Sequence, residues 1–417
     1  MTRQIEIDPA LIDRYLASLA KFGAYGETGV WRTVYSPAWV AAQDQVAAWM
    51  EEAGLEVRRD AVGNVWGRLA GSEGGSSIVS GSHIDSQRPG GRFDGALGVI
   101  AALAAIRALK EQCGTPRRTL EVVSLCEEEA SRFPASNFLG SRAITGAITP
   151  EDAEQMIGYD GETMAEAMRA IGLDPARLPE AQRDDIDIFI ELHIEQGPIL
   201  EQAGVPVAVV TAINSIRHYV VELTGRSDHA GARPMDMRLD PMAGAAEITL
   251  GVIDTALRMG RPAVTTIGKM EVEPGGPAIV PEKVTFTIDA RHPDPETRLK
   301  LFQAHEEWMR AVATRRGLEL KWTITTDLIP CVCDPELVRT LQVAATEAGI
   351  PFVTMSSGAG HDTQRMANIA RVAMLFVQSK GGRSHTPAEF TTTADAVAGI
   401  RVLADGLQRL AYGDERA

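Results

Sequence analysis

Four short segments of this chain together supply histidines and carboxylates at spacings that suit a metal site. Each follows a run of apolar residues typical of a buried strand. Three of the eight histidines, His83, His193 and His385, lie in these segments beside acidic residues. Imidazole and carboxylate groups together suit zinc, manganese, cobalt or nickel. The pattern predicts a divalent metal site built from GSHIDSQRPGGRFDG (81–95), CEEEASRF (126–133), ELHIEQG (191–197) and RSHTPAE (383–389).

The carboxylates in these segments divide into different roles. Asp94 lies in a glycine-rich loop and is the candidate to bridge two ions, which a shared carboxylate holds about 3.5–4 Å apart. Asp85 follows His83 by two residues, so both side chains share a strand face and Asp85 can accept the other N–H of the imidazole. Neighbouring residues at a strand end point in opposite directions, which assigns Glu129 to the metal and Glu128 to the attacking water as general base.

Each segment has an ordinary explanation when it is taken alone. A histidine at a strand end is more often a hydrogen-bonded structural residue than a ligand, and a run of acids after a strand is usually a solvated turn. Four such segments in one chain are hard to explain as independent accidents. Spacing alone therefore predicts a metal site and leaves the number of ions open.

An α/β catalytic domain is expected to position these segments. Residues 78–83, 120–126 and 186–195 are short β-rich runs, and helical patterns lie at 38–53 and 97–109. Such alternation predicts an α/β layer fold with a mainly parallel sheet. Open α/β sheets bind ligands at the carboxyl ends of their strands, where the four segments fall.

The pattern changes near residue 214 and predicts an inserted domain. The order β-α-β-β-α-β is typical of a compact, ferredoxin-like α+β unit with an antiparallel sheet, and αβ alternation returns after it. We expect a catalytic domain of residues 1–213 and 331–417 interrupted by an insert of residues 214–330. Within the insert we predict strands at 218–225, 262–273, 284–291 and 318–326, a helix from about Asp240 to Met259, and a charged helix before the last of these strands. After the insert we predict a helix at 335–348, a strand at 372–377 and a helix at 392–411.

Composition excludes several classes of function. The 417 residues are too many for one ordinary core, so two domains are expected. The 41 basic and 56 acidic residues give a net charge of −15, which opposes binding to nucleic acid or to an anionic membrane. The four scattered cysteines lack metal-finger spacing and suit a reducing compartment. The chain shows no signal-peptide pattern and no long apolar run, so we expect a cytoplasmic protein.

Six segments together resemble one enzyme family. In the family's order, the chain contains GSHIDS…GGRFDGALGV, EEEASRF, ELHIEQG, DHAGARPM, SGAGHD and SHTPAE. These are similar to the amidase/hydantoinase/carbamoylase family of the zinc aminoacylase/carboxypeptidase superfamily, and the match covers nearly the whole chain. The members of this family include N-carbamoyl-L-amino-acid hydrolases, allantoate amidohydrolases and ureidoglycolate amidohydrolases.

The resemblance implies a dinuclear site in a metallo-aminopeptidase-like catalytic domain. Two divalent ions per subunit, zinc first and manganese, cobalt or nickel otherwise, would be bridged by Asp94, with Glu128 as base. The resemblance also makes the insert a dimerisation or lid domain, in a homodimer whose lid closes over a small-molecule substrate. The implied ligands are His83, Asp94, Glu129, His193 and His385.

The resemblance also implies substrate contacts at positions that spacing could not assign. His229, in DHAG, matches a histidine that polarises the scissile carbonyl in its own or the partner subunit's site. Arg291, in TIDARH, matches the arginine that binds the substrate carboxylate, for which a planar bidentate donor is suited. Weaker candidates for polar contacts are Gln196, His218 or Arg217, and Gly358 and Ala359 of the SGAGHD loop, whose backbone N–H groups can approach an anion or a ureido oxygen.

Ala278 departs from the family pattern. Family members usually carry an asparagine at this position of the segment GGPAIVPEKVTF, where its amide helps to hold the carboxylate end of the substrate. Alanine cannot form that hydrogen bond. Either another group supplies the contact, or the substrate differs from the usual ureido acids.

The expected function is metal-dependent hydrolysis of a C–N bond in a small ureido or carbamoyl acid, of the allantoate or N-carbamoyl-L-amino-acid type. One alternative is an aminoacylase or dipeptidase with the same site, which would release no ammonia. Another is a hydrolase of an unusual amide, which Ala278 favours. An inactive metal-binding dimer scaffold is the least favoured alternative, because all five ligand positions and the base are present.

Overall fold

The computed structural model describes residues 4–413 and divides the chain into two compact units. The larger unit contains the residues up to Thr211, Cys333–Met355 and the residues from His361 onward, and the smaller unit contains Ala212–Val332 and Ser356–Gly360. The α-helices are α1 (Pro9–Leu19), α2 (Pro37–Glu52), α3 (Ala96–Cys113), α4 (Leu139–Ile144), α5 (Pro150–Gln155), α6 (Met164–Ala170), α7 (Ile199–Ala203), α8 (Pro241–Met259), α9 (Pro295–Arg316), α10 (Pro335–Glu347), α11 (Thr363–Met366) and α12 (Thr393–Tyr412). The strands are β1 (Ala24–Tyr25), β2 (Gly29–Val30), β3 (Glu56–Arg59), β4 (Val65–Leu69), β5 (Ser77–His83), β6 (Leu120–Leu125), β7 (Ile186–Ile194), β8 (Val207–Ile213), β9 (Ser215–Thr224), β10 (Asp228–His229), β11 (Val264–Thr266), β12 (Met270–Glu273), β13 (Ile279–Val280), β14 (Lys283–His292), β15 (Glu319–Leu328), β16 (Cys331–Val332), β17 (Phe352–Ser357) and β18 (Arg371–Val377).

The larger unit is built on a mixed sheet with a parallel centre. Its strand order is β8-β18-β7-β5-β6-β4-β3, with β17 also paired to β8. The four central strands β18, β7, β5 and β6 are parallel, whereas β8, β4 and β3 are added antiparallel. The central strands are buried almost throughout, as expected for strands that are covered on both faces.

The carboxyl ends of the parallel strands lie side by side. In the register of the sheet, His83 at the end of β5 is opposite Leu125 at the end of β6, and His193 of β7 is opposite Phe376 of β18. The acidic run follows β6 directly, and the loop with His385 follows β18. Parallel pairing therefore brings the four predicted segments to one edge of the sheet.

Helix α3 begins directly after the glycine-rich loop and forms much of the core. It is buried along most of its length and packs against β5 and α12. Its N-cap residue, Gly95, has a φ of +63°, and a Cβ at this position would lie 2.4 Å from the ring of His83. Glycine is therefore required for the loop with Asp94 to approach the end of β5 so closely.

The smaller unit has two layers. Its antiparallel sheet has the order β11-β14-β9-β15, with β12 also paired to β14. Buried residues alternate along β9 and β14, so one face of the sheet is covered. Helices α8 and α9 contribute to that core, which includes Val221, Ile248, Phe286 and Met309. A separate two-stranded ladder joins β10 to β13.

The predicted α/β fold class, with a mainly parallel sheet and an inserted α+β unit, is confirmed. The prediction of one continuous strand over 262–273 is wrong, because the chain forms two strands, β11 and β12. Between them, residues 267–269 lie opposite only two residues of β14, because Thr266 pairs with Asp289 and Met270 with Phe286, and this extra residue interrupts the ladder. No helix within residues 4–413 is long and apolar enough to cross a membrane.

Candidate metal centre

A first group of ligand atoms surrounds one oxygen of Asp94. His193 Nε2 lies 3.1 Å from Asp94 Oδ1, and His83 Nε2 lies 3.7 Å from the same oxygen. All three side chains are buried, and their ligand atoms lie within 4.8 Å of one another. Strand β7, strand β5 and the loop before α3 each supply one of these side chains. The group has the composition and spacing to hold one cation.

A second group surrounds the other oxygen of Asp94. His385 Nε2 lies 3.5 Å from Asp94 Oδ2 and 3.4 Å from Glu129 Oε2. The ligand atoms of this group also lie within 4.8 Å of one another. Asp94 thus belongs to both groups and presents a different oxygen to each. This is the arrangement that a carboxylate needs in order to bridge two cations.

The orientation of His83 and His193 leaves one ring nitrogen of each to face Asp94. His193 Nδ1 lies 3.0 Å from the carbonyl oxygen of Ile194, and His83 Nδ1 lies 3.2 Å from that of Asp85. A carbonyl oxygen can only accept, so each Nδ1 carries a proton and each Nε2 is left to face Asp94 Oδ1. His193 Nε2 also accepts the Gly95 N–H at 3.2 Å. An imidazole binds metal through a nitrogen without a proton, so a bound cation would take the place of a proton between each Nε2 and Asp94. The residues present therefore fit a divalent metal.

Carboxylates outnumber cationic side chains in this cluster. Burial by itself raises the pKa of Asp94, but the surrounding imidazoles, His193 first, lower that pKa well below its usual range. For Glu128 and Glu129, burial raises the pKa well above the usual value, and neighbouring carboxylates add to the effect. Within residues 4–413, none of these three carboxylates pairs with a lysine or an arginine. A divalent cation would supply the missing positive charge.

Glu128 lies beside the first group, on a turn that Asp85 holds in place. Its Oε2 atom is 3.7 Å from His83 Nε2. The main-chain N–H groups of Glu128 and Glu129 donate to the two carboxylate oxygens of Asp85, at 3.3 and 3.2 Å. His83 Nδ1 is closer to the main-chain carbonyl of Asp85 than to its carboxylate, which lies 3.5 Å away. Asp85 therefore positions the histidine and both glutamates.

Glu389 connects the loop of Asp94 to the loop of His385. Its Oε1 accepts the N–H groups of Phe93 and Asp94, both at 2.9 Å. Ser384 Oγ lies 3.0 Å from Glu389 Oε2 and 2.7 Å from Asp94 Oδ2. Burial raises the pKa of Glu389 to about 7. This carboxyl group was not predicted, because its partners come from a segment almost 300 residues earlier in the chain.

Gln196 presents an unsatisfied acceptor at the same place. Its Nε2 donates to Asp94 Oδ2 at 2.8 Å. Its Oε1 is buried and has no hydrogen-bond partner within residues 4–413. A buried acceptor without a partner costs about 1–3 kcal/mol, so binding of a molecule that donates a hydrogen bond here would be favoured.

Two further buried residues lie next to the predicted ligands. His361 packs edge-on against His193, with 4.7 Å between ring centroids, and together with Glu191 these two histidines form a third group of potential ligand atoms. Glu191 accepts hydrogen bonds from the hydroxyl groups of Ser82 and Thr363, at 2.8 and 2.6 Å. Burial lowers the pKa of His361 well below its usual value. The only sequence signal for His361 was its place in the segment SGAGHD.

His229 lies in the smaller unit, on β10, and is exposed. Its Nδ1 accepts the N–H groups of Gly231 and Ala232, at 3.0 and 3.1 Å. Because Nδ1 is an acceptor in both bonds, the imidazole carries its proton on Nε2. His229 is therefore set up to donate a hydrogen bond from Nε2.

Arg291 and His218 share one carboxylate in the smaller unit. Arg291 Nε and Nη2 donate to Asp289 Oδ1 and Oδ2, at 2.9 and 2.8 Å. His218 Nε2 lies 2.8 Å from Asp289 Oδ2, and Arg291 Nη1 donates to the carbonyl of Gly358 at 2.8 Å. Burial by itself raises the pKa of Asp289, but hydrogen bonds from His218 and Arg291 lower it well below the usual range. All four residues line a cavity of about 640 Å³.

Arg217 is engaged on the opposite face of β9. Its Nη2 donates to Asp327 at 2.5 Å, and its guanidinium lies 4.2 Å from the ring centroid of Phe302. Neighbouring residues of a strand point to opposite faces, so the side chains of Arg217 and His218 lie on opposite faces of the sheet. Of the two alternatives, only His218 lines the cavity that contains Arg291.

The loop after β17 uses different groups from those expected. The Ala359 N–H donates to the side chain of Ser357 at 3.1 Å. Gly358 contributes its carbonyl oxygen, which accepts from Arg291. In this structure the loop therefore orients an arginine.

Ala278 lies beside His229 in the β10–β13 ladder. Its carbonyl oxygen accepts the Ala230 N–H at 2.9 Å, and the next residue, Ile279, is the register partner of His229. Ala278 is exposed. Alanine offers no polar side-chain group at this position.

A cluster of histidines and carboxylates at the carboxyl edge of a mainly parallel sheet is typical of metal-dependent hydrolases. The family model described as Peptidase family M20/M25/M40 matches residues 79–409. The chain belongs to this family, and its relatives place it in the predicted amidase/hydantoinase/carbamoylase group. It is a hydrolase that acts on C–N bonds, and the family together with the ligand clusters indicates that it binds divalent metal.

Similar proteins cover almost the whole chain. The allantoate amidohydrolase of Escherichia coli (strain K12) is 41% identical over 402 residues, which are 96% of this chain and 98% of that protein. The N-carbamoyl-L-amino acid amidohydrolase of Geobacillus stearothermophilus is 38% identical over 402 residues, with 96% and 98% covered. The crystal structure of an amidase of the hydantoinase/carbamoylase family from Burkholderia multivorans superimposes with a TM-score of 0.91 at 34% identity, covering 97% and 98% of the two chains.

Proposed function

We propose that this protein hydrolyses a C–N bond of a small ureido or carbamoyl acid, of the allantoate or N-carbamoyl-L-amino-acid type, with two divalent cations per subunit. One observation carries the proposal. Asp94 presents Oδ1 to His83 and His193, and Oδ2 to His385 beside Glu129. A single shared carboxylate thus joins two ligand groups, as a dinuclear hydrolase requires.

His83 and His193 would hold one cation, Glu129 and His385 the other, and Asp94 would bridge them. When bound, such a pair of cations lowers the pKa of water and polarises the scissile carbonyl group. The mixture of imidazole and carboxylate ligands favours zinc, and manganese, cobalt or nickel also suit it. Asp85, which positions His83, supports the ligands from outside the cluster.

Glu128 is the proposed general base and acid. Its carboxylate lies beside the first ligand group, at 3.7 Å from His83 Nε2, but it belongs to neither group that contains Asp94. It is therefore free to accept a proton from the attacking water and to return it to the leaving nitrogen. Burial of its carboxyl group favours the protonated form that the second step needs.

Two neutral side chains supply hydrogen bonds to the ureido group. His229 carries its proton on Nε2 and can donate to the carbonyl oxygen as negative charge develops there, an effect worth about 3 kcal/mol for one well-placed donor. Gln196 Oε1, the buried acceptor without a partner, suits an N–H group of the same substrate. His229 would act in its own subunit or in the partner subunit's site.

Arg291 is proposed to bind the carboxylate end of the substrate, and His218 to line the same subsite. A guanidinium suits this task because it is permanently charged and presents parallel N–H groups. His218 is preferred over Arg217 because only His218 faces the cavity of Arg291. At Ala278, where a family asparagine would assist, no side-chain contact is available. A substrate with a modified acid end is therefore a second candidate.

We further propose a homodimeric, cytoplasmic enzyme in which the larger unit is catalytic and the smaller unit provides dimerisation and the lid. The family resemblance supports the dimer and the lid. The excess of acidic residues, 56 against 41 basic, opposes binding to nucleic acid and supports a small molecule as the substrate.

The test is a substrate panel with metal-reconstituted protein. Chelated enzyme is loaded separately with zinc, manganese, cobalt or nickel and is offered allantoate, N-carbamoyl-L-alanine and N-acetyl-L-alanine. We expect at least one of the two ureido acids to be cleaved with release of ammonia, and elemental analysis to give two metal ions per subunit. Cleavage of N-acetyl-L-alanine alone, without ammonia, would instead identify an aminoacylase.

A further inference from the structure

Asp289 lines the cavity that contains Arg291 and His218. It is the register partner of His218 across β9 and β14, and it lies two residues before Arg291 on the same strand face. It makes two hydrogen bonds to Arg291 and one contact to His218, all between 2.8 and 2.9 Å. Its side chain is 27% exposed, and so is that of Arg291. A negative group therefore lies where the proposed function places the negative end of the substrate.

The hydrogen bonds of Arg291 explain this apparent conflict. A guanidinium has five N–H groups, which form two parallel pairs and leave one over. Asp289 takes the pair on Nε and Nη2, and Gly358 takes one N–H of Nη1. Two N–H groups are left, one on Nη1 and one on Nη2. No group within residues 4–413 accepts from them, and Arg291 lines the open cavity.

We infer that Asp289 is a positioning residue that fixes Arg291 so that its remaining N–H groups, one on Nη1 and one on Nη2, are left to bind a planar carboxylate. The inference rests on the proposed function and adds a residue that selects acids over neutral amides. Asp289 also fixes the ring of His218. A carboxylate can only accept, so His218 Nε2 is the donor in this contact and Nδ1 is the ring nitrogen that Asp289 does not bind.

Charge and position predict opposite effects for the loss of Asp289. If only charge mattered, removal of a negative group would strengthen the attraction between Arg291 and an acid and would lower KM. If position matters more, Arg291 loses the two bonds that hold its plane, the entropy cost of binding rises, and KM for the acid increases. The sign of the change in KM for the acid therefore separates the two explanations.

The experiment is a double-mutant cycle with a matched pair of substrates, N-carbamoyl-L-alanine and N-carbamoyl-L-alaninamide. Holoenzyme is compared as wild type, Asp289→Asn, Arg291→Ala and the double variant. We expect Asp289→Asn to raise KM for the acid about tenfold and to change KM for the amide and kcat for both by less than about twofold. In the Arg291→Ala background, Asp289→Asn should add less than about twofold, because its effect passes through the arginine.

A matched control removes a carboxylate elsewhere in the same sheet. Glu222 lies on β9 and its carboxylate is 3.6 Å from Lys283, outside the cavity. Glu222→Gln should leave both KM values unchanged. Asp289→Ala is the second variant if Asp289→Asn lowers the melting temperature, because it removes the same bonds without adding an amide. An unchanged or lower KM for the acid in a folded variant, or equal effects in both arginine backgrounds, would overturn the inference.

Binding separates failure of this inference from failure of the proposed function. The same four proteins are titrated by calorimetry with N-carbamoyl-L-alanine after chelation, when no turnover occurs. A protein that hydrolyses neither allantoate nor N-carbamoyl-L-alanine but shows the expected pattern of dissociation constants refutes the function and retains the role of Asp289. A wild type that hydrolyses the acid while Asp289→Asn binds it equally well refutes the role and retains the function. Absence of both binding and turnover refutes both.

Discussion

The two units use the same residue types with opposite charge balance. In the larger unit, His83 and His193 face Asp94, and no arginine or lysine within the described residues pairs with that carboxylate. In the smaller unit, His218 faces Asp289, and Arg291 neutralises it through two hydrogen bonds. The first cluster is short of positive charge and the second is not. A histidine next to a carboxylate therefore indicates a metal only where no side-chain cation already satisfies the acid.

Buried histidines of the two units show the same contrast. His83 and His305 are both almost fully buried. Burial by itself lowers the pKa of His83, but the carboxylates around it, Glu128 first, outweigh burial and raise that pKa well above the usual value. For His305, burial dominates and lowers the pKa to about 4. The protein interior alone thus keeps an imidazole neutral, and only the acid cluster reverses this.

Metal removal should give the largest effect and should act on one cluster only. We expect chelation to abolish activity and divalent metal to restore it. For wild type, metal at about 100 times its dissociation constant should add about 2.7 kcal/mol to the free energy of unfolding. Asp94→Asn should lose most of this stabilisation because it alters the ligand shared by both groups. Thermal unfolding of each protein with and without metal measures this stabilisation.

The control for metal removal is Asp289→Asn, which changes a carboxylate that also faces a histidine. Because Arg291 already pairs with Asp289, this variant should keep the full stabilisation by metal. An equal loss in Asp289→Asn and Asp94→Asn would contradict the difference between the clusters.

Glu128→Gln should separate proton transfer from metal binding within the larger unit. We expect kcat to fall about 10²- to 10⁴-fold, because the amide can neither accept nor return a proton. Metal content should stay at the wild-type value, since Glu128 is in neither group that contains Asp94. Elemental analysis measures the metal content, and steady-state kinetics measures kcat. Glu111→Gln, an exposed carboxylate on α3, should behave as wild type, and a Glu128→Gln enzyme with normal kcat would exclude this residue as the base.

Arg291→Ala should affect the acid end of the substrate and leave the metal cluster unchanged. Charge-assisted hydrogen bonds are worth about 1.5–3 kcal/mol, so KM for N-carbamoyl-L-alanine should rise about 10- to 100-fold. KM for the neutral amide analogue should change by less than about twofold. Arg258→Ala, which removes an exposed arginine paired with Asp254, is the matched control. Equal effects on acid and amide would show that Arg291 does not bind the carboxylate.

The ligand cluster could be predicted because it depends on strand ends. His83, Glu129 and His193 follow or end buried strands, and parallel pairing brings such ends together whatever the detailed register. The sequence predicts a loop at Gly95, beside Asp94, but it does not predict that Gly95 lies close to His83. Secondary structure and topology were therefore enough to predict that these side chains come together.

The residues that position the ligands could not be predicted, because their contacts depend on register and on long-range packing. Glu389 binds the loop of Asp94 from the far end of the chain. Asp289 meets His218 only through one particular pairing of β9 with β14. A shift of one residue would turn these side chains to opposite faces. Periodicity identifies a strand but does not choose its register.

The smallest expected effect concerns His305 and the pH dependence of stability. Its folded pKa of about 4 lies below the unfolded value of about 6.5, so the unfolded chain binds more protons and stability falls as the pH drops from 6.5 towards 4. Between pH ~7 and ~5.5 this loss should be about 1 kcal/mol, and His305→Gln should remove it. Urea unfolding of both proteins at the two pH values measures the difference. All other titrating groups are common to both proteins, so their contributions cancel in the difference between the two free energies of unfolding. An identical pH dependence of stability in the two proteins would mean that burial does not keep His305 neutral.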